Sequence, residues 1–167
     1  MGSTTSPRRP PCEIRSSVVI SKSTLDGNLS PTAKVVTRMG AIETHIDLEK
    51  DLTIHIASGE ITADEILRKI HSYYEGEVTR LLIWDLTDAD VRRISASDVQ
   101  DFVNLTNSLV GPRAGGKTAL VVVTPLAFGM GRMFELSKDA SDKQGIGHRT
   151  FRDKKTALEW LGVAADD

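Results

Sequence analysis

The hydrophobic period of this chain changes repeatedly after position 41, and each change marks an expected element boundary. Ile42, Thr44, Ile46 and Leu48 alternate with Glu43, His45 and Asp47, the period of two that marks a half-buried strand. After the polar turn Glu49-Lys50-Asp51 the alternation resumes at Leu52, Ile54 and Ile56, so a β-hairpin is predicted, closed by Gly59. Thr62-Ala63-Asp64-Glu65 then reads as a capping box, in which side chains at the helix start satisfy two otherwise orphaned backbone donors. Ile66, Leu67, Ile70 and Tyr74 follow on one helical face, and Gly76 stops the helix.

Leu81-Leu82-Ile83-Trp84 is continuously apolar, as a strand covered on both faces should be, and Asp85-Leu86-Thr87 ends it. Ser97-Asp98-Val99-Gln100 offers a second capping box, with Val99, Phe102, Val103, Thr106 and Val110 as the buried stripe behind it. Ala119 to Val123 forms the next central strand. Thr124-Pro125 caps a helix that places Leu126, Met130, Met133, Phe134 and Ser137 on one face. Gly145-Ile146-Gly147 breaks the chain before an edge strand, His148 to Phe151. Asp153 caps a last helix that buries Ala157, Leu158 and Leu161 and stops at Gly162. The expected fold is α/β: a hairpin followed by alternating helices and mostly parallel strands in a single sheet, with right-handed crossovers.

Upstream of this pattern, residues 1–33 are rich in Ser, Thr and Pro and read as a flexible extension, with Val18-Val19-Ile20 its one apolar cluster. Residues 34–163 make the α/β domain, and 164–167 a short acidic tail. The formal net charge of -2 argues against a nucleic-acid partner, because such domains are usually basic. The one cysteine, Cys12, has no partner for an internal disulfide, which fits a reducing, cytoplasmic setting. No apolar run approaches the ~20 residues of a membrane span, so none is expected.

Gly111-Pro112-Arg113-Ala114-Gly115-Gly116-Lys117-Thr118 satisfies G-x-x-x-x-G-K-[ST]. A phosphate-binding loop of that form follows a strand and opens a helix, so that converging amides and the helix dipole hold the anion. Here the order is reversed, and the glycines read as a helix-to-strand connection. Ser95 and Ser97 are the candidate phosphoacceptors, at the turn from strand to helix where open α/β sheets usually bind ligands. Asp85, Asp88, Asp90 and Asp98 read as loop acids, and His45 and His55 as residues of the polar side of the hairpin. The four histidines show no metal-ligand spacing, so no metal, cofactor or catalytic residue is assigned. Phe128, Met130, Arg132, Met133 and Phe134 form a candidate ligand or partner surface on a helix with two glycines, Gly129 and Gly131, which close packing on the sheet would explain.

From Ile42 to Val163, about three quarters of the chain, this order resembles the STAS domain superfamily and, within it, the SpoIIAA-like group of small bacterial proteins. The hairpin, the Asp-Leu-Thr end of the Leu81 strand and the Phe128 to Phe134 segment carry the resemblance. It implies a non-enzymatic regulatory module with a protein partner, and it allows a homodimer. STAS anti-sigma-factor antagonists are phosphorylated on a serine in an Asp-Ser-Ser/Thr-Gly-like motif before the second helix. The matching Ser95-Ala96-Ser97-Asp98 keeps serines but lacks the preceding Asp and the following Gly. The SpoIIAA-like group is also similar in fold to the core of CRAL-TRIO lipid-binding domains. That likeness implies, as the alternative, a small apolar or lipid-like ligand between the sheet and the Met130-Met133-Phe134 helix. A nucleotide hydrolase built on Lys117 ranks last.

Overall fold

The computed structural model describes residues 40–109, 111, 113–141 and 143–164. The N-terminal extension, Val18 to Ile20, Cys12, Val110, Pro112 and the acidic end of the tail lie outside the described residues. Five strands, β1 (Ala41–Asp47), β2 (Leu52–Glu60), β3 (Leu81–Asp90), β4 (Lys117–Val121) and β5 (Gly147–Phe151), form one sheet in the order β1-β2-β3-β4-β5. The helices are α1 (Ala63–Glu75), α2 (Ala96–Ser108), α3 (Pro125–Ser141) and α4 (Lys154–Leu161). β1 and β2 pair antiparallel and the remaining neighbours are parallel, so the expected α/β organisation is present.

Sequential strand order decides where the helices go. Each β–α–β connection steps one strand in the same direction, so crossovers of one hand lay α1, α2 and α3 on the same face. That face buries Ile66, Ile70 and Tyr73 of α1, Val99 and Phe102 of α2, and Ala127 of α3 against Leu82, Trp84 and Val122 of the sheet. α4 follows the edge strand and takes the opposite face, where Ala157 and Leu161 meet Ile83, Ala119, Val121 and Phe151. Side chains alternate across a strand, so β3 and β4 feed both cores, and this accounts for their unbroken apolar runs. Each fully buried aliphatic side chain here contributes roughly 1.5–3 kcal/mol.

Local chemistry corrects several expected boundaries. Gly59 does not close the hairpin: it lies inside β2 with φ 74°, where the pairing with β3 shifts register between Ile56 and Ser58. Past that irregularity β3 continues beyond Thr87, as Ala89 and Asp90 pair with Gly59 and Glu60. β4 begins at Lys117 and ends at Val121, two residues earlier at each end than its apolar run suggests. The outward position of β1 leaves Ile46 46% and Leu48 65% exposed, so the half-buried face expected of this strand is covered only around Ile42.

Capping explains the helix starts, and one differs from expectation. α1 has the reciprocal Thr62–Glu65 box. α2 is capped by Ser95, not Ser97: Ser95 Oγ accepts from the Asp98 amide at 3.2 Å, and the Asp98 carboxylate accepts from the Ser95 amide at 2.7 Å. The earlier start is favoured because Ile94 and Val99, just outside and just inside the cap, are both buried in the core, as Ile61 and Ile66 are at α1. Ser97 therefore occupies the second helical position and is exposed.

Two helix faces are rotated from those the sequence suggests. Tyr73, not Tyr74, is the buried tyrosine of α1. α3 buries Ala127, Gly131, Glu135 and Lys138, while Leu126 is exposed. The charged residues of that stripe find partners. Glu135 Oε2 accepts from the Thr150 amide at 2.9 Å and its other oxygen from Arg132, and Lys138 Nζ donates to Asn107 Oδ1 at 2.5 Å. Gly131 is the close approach, since a Cβ there would lie 2.7 Å from Thr150 Cγ2. Gly129 faces open space, so only one of the two glycines is explained by packing.

Candidate functional site

Between the sheet and α1, α2 and α3 lies a cavity of about 100 Å³. Its walls follow the elements in order. β3 gives Leu82, Trp84 and Leu86, β4 gives Thr118 and Leu120, and Val122 follows directly after β4. α2 and the turn before it give Val91, Ile94, Val99, Phe102 and Thr106, and α3 gives Ala127, Met130, Phe134 and Lys138. The cavity is polarised from end to end. At the carboxyl ends of β3 and β4 it is bounded by Val91, Ile94, Val122 and Ala127. At their amino ends it meets Thr106, Arg113, Thr118, Lys138 and His148.

Arg113 is the decisive side chain at the polar end. It is 2% exposed, yet it comes from the glycine-rich turn between α2 and β4. Gly116 makes that turn tight enough to point the arginine inward, because a Cβ at Gly116 would lie 2.3 Å from the Arg80 carbonyl oxygen. The guanidinium Nε donates to the Thr79 carbonyl at 3.0 Å. Nη2 donates to the carbonyls of Arg80 at 3.1 Å and Lys117 at 2.9 Å, and to Thr118 Oγ1 at 3.1 Å. The Tyr73 ring lies 5.6 Å from its central carbon. All these partners are neutral, and no carboxylate pairs with Arg113 among the described residues.

The nearby polar residues are held in a fixed network. Tyr73 Oη donates to the Thr79 carbonyl at 2.6 Å, and Thr79 Oγ1 lies 2.8 Å from Thr53 Oγ1. Burial pushes the Tyr73 phenol up from its ordinary value. His55, expected on a polar face, is instead 1% exposed, with its ring edge-on to Trp84 and Tyr73. Its Nδ1 lies 3.0 Å from Thr44 Oγ1, and its buried Nε2 has no hydrogen-bond partner among the described residues. Burial first, then the Lys69 and Arg113 charges, lowers its pKa to about 4, so the ring is neutral at pH 7.

The sequence-predicted residues divide around this cavity. Met130 and Phe134 line it, and Phe134 meets His148 edge-on at 5.6 Å. Met133 packs against the same core from outside the lining. Phe128 is half-buried under the Arg152 guanidinium, 4.2 Å away, and Arg132 is paired with Glu135. The five therefore do not make one surface. Ser95 and Ser97 stand outside the cavity, although Ile94 and Val99 on either side of them face it. Ser95 is committed to its cap; Ser97 is exposed and makes no side-chain hydrogen bond among the described residues.

Lys117 belongs to β4, and its ammonium donates to the Trp160 carbonyl at 2.8 Å. The motif's strand–loop–helix context is absent, as its order in the chain implied. Asp90 is held by Arg92 and Asp98 by Ser95, and among the described residues no three His, Cys, Asp or Glu side chains converge on a metal-sized space. Nor is any described helix long and apolar enough to cross a membrane. Arg113 was missed because a glycine-rich stretch reads as solvated loop. The available signal was an arginine followed by Gly115-Gly116 directly before an apolar strand.

No known family model matches this chain, and no curated protein does either.

Proposed function

We propose that this chain is a non-enzymatic binding module of the STAS/SpoIIAA-like type whose ligand is a small apolar or lipid-like molecule held between the sheet and α1–α3. The polarised cavity carries this reading. Well-packed cores leave few voids larger than a water molecule, and an apolar void of this order stays dry and takes up small apolar ligands. The lining combines aromatic walls with Met130, an adaptable side chain suited to a ligand that enters and leaves. Few polar groups converge at one end, the usual layout of a small-molecule site.

Binding of benzene, followed by amide NMR shifts, tests the reading. The expected shifts cluster at Leu120, Val122 and Met130, and Ala127→Phe, which fills the space, abolishes them. Shifts scattered over the surface, or unchanged by the filled variant, would reject the cavity as the site.

A second reading, the phospho-regulated protein partner, is favoured by one observation: Ser97 presents its hydroxyl in the first turn of α2. A phosphate there would be stabilised by the helix dipole. Affinity capture from the host with phosphosite mapping tests it. A kinase-like partner and phosphate on Ser97 would support the switch, while phosphate confined to other residues would oppose it.

A further inference from the structure

Burying a cation without a counter-charge is costly, because carbonyl dipoles replace its hydration only in part. Arg113 is in that position, and it lies where the apolar cavity ends. Its bonds engage Nε and Nη2; Nη1 has no hydrogen-bond partner among the described residues. Thr118 Oγ1 accepts from Nη2, which leaves its own proton to donate. Two donors are thus set side by side at the polar end of a space whose other end is bounded by Val91, Ile94 and Ala127. The lining includes Arg113 and Lys138 and contains no carboxylate.

From this juxtaposition we infer that the ligand is a short-chain monocarboxylate, its carboxylate on Arg113 Nη1 and the Thr118 hydroxyl and its chain directed toward Val122 and Ala127. The inference rests on the cavity reading above and narrows it to one chemical class. A cavity of about 150 Å³ accepts benzene, so about 100 Å³ suits an acid no larger than benzene, of about three or four carbons. A charge-assisted bond is stronger than its neutral counterpart, so the acid is favoured over a neutral molecule of equal shape.

The test compares sodium butyrate with butanamide on the intact protein by calorimetry and amide NMR, with benzene as a probe of the cavity alone. Butyrate should bind at least tenfold more tightly than butanamide, with shifts at Thr118 and Val122. Arg113→Gln should remove that preference while benzene still binds. Because Arg113 also ties the starts of β3 and β4, this variant can fail to fold, and the comparison on the unaltered chain then decides. Butanamide binding as tightly as butyrate, or benzene binding where butyrate does not, overturns the carboxylate and leaves the cavity reading intact. Failure of all three to bind overturns both.

Discussion

Lys117 Nζ donates to the backbone carbonyl of Trp160 at 2.8 Å and lies 5.1 Å from the centre of that residue's indole ring. The lysine of the apparent phosphate-binding motif is thus a clasp between β4 and α4. Removing it deletes a charge-assisted hydrogen bond and a cation–π contact at a half-buried site. Lys117→Ala should lower stability by about 1–2 kcal/mol, read as a reduced urea midpoint with an unchanged slope. Unaltered stability combined with loss of a measurable ATPase rate would return the motif to catalysis.

The glycines of α3 separate by the same kind of reasoning. Gly131→Ala forces a methyl against the Thr150 side chain, and overpacking of this sort costs about 1–3 kcal/mol. Gly129→Ala meets nothing and replaces a poor helix former, so it should stabilise by about 0.5–1 kcal/mol. Thermal unfolding of the two variants measures both, and equal shifts would contradict the packing described.

Ser95 and Ser97 make a second such pair. Ser95→Ala removes the cap of α2 and should cost about 1 kcal/mol. Ser97→Ala should stay within about 0.5 kcal/mol, as substitutions at exposed sites away from such features usually do. A larger loss at Ser97 than at Ser95 would place the helix start two residues later.

Stability should also depend on pH through His55. Its pKa is near 6.5 in the unfolded chain and lowered to about 4 in the folded one, so between these values the unfolded state binds more protons. The stabilisation is complete above about pH 6.5 and diminishes as pH falls toward 4, by at most about 3 kcal/mol. His55→Leu should flatten this part of the profile. A slope that persists in the variant would assign the effect to other groups.

Much of the architecture could be read from the residues. Apolar runs at Leu81 to Trp84 and Ala119 to Val123 identified strands that serve two cores, and the reversed order around Lys117 already argued against a phosphate site. Less accessible were features that depend on contacts distant in sequence. Helical periodicity could not separate Tyr73 from Tyr74, because that choice depends on the Thr79 carbonyl waiting in the next loop. His55 looked polar by type, yet its strand passes beneath α1. Arg113 needed the turn at Gly116 to bring it inside, and no period records a turn. The cavity was anticipated only through Met130 and Phe134, since its remaining walls read as ordinary core.

The sequential strand order also bears on how the molecule is assembled. Each strand pairs with its neighbour in the chain, so no sheet contact has to wait for a strand beyond the next. A polypeptide emerging from the ribosome can extend the sheet one β–α unit at a time, always at the edge just completed. The underside is the exception. Among the described helices, α4, only eight residues long, is the one that packs on Ile83, Ala119 and Val121, and it is synthesised last. The growing chain therefore carries an adhesive surface through most of its synthesis and loses it in one late step.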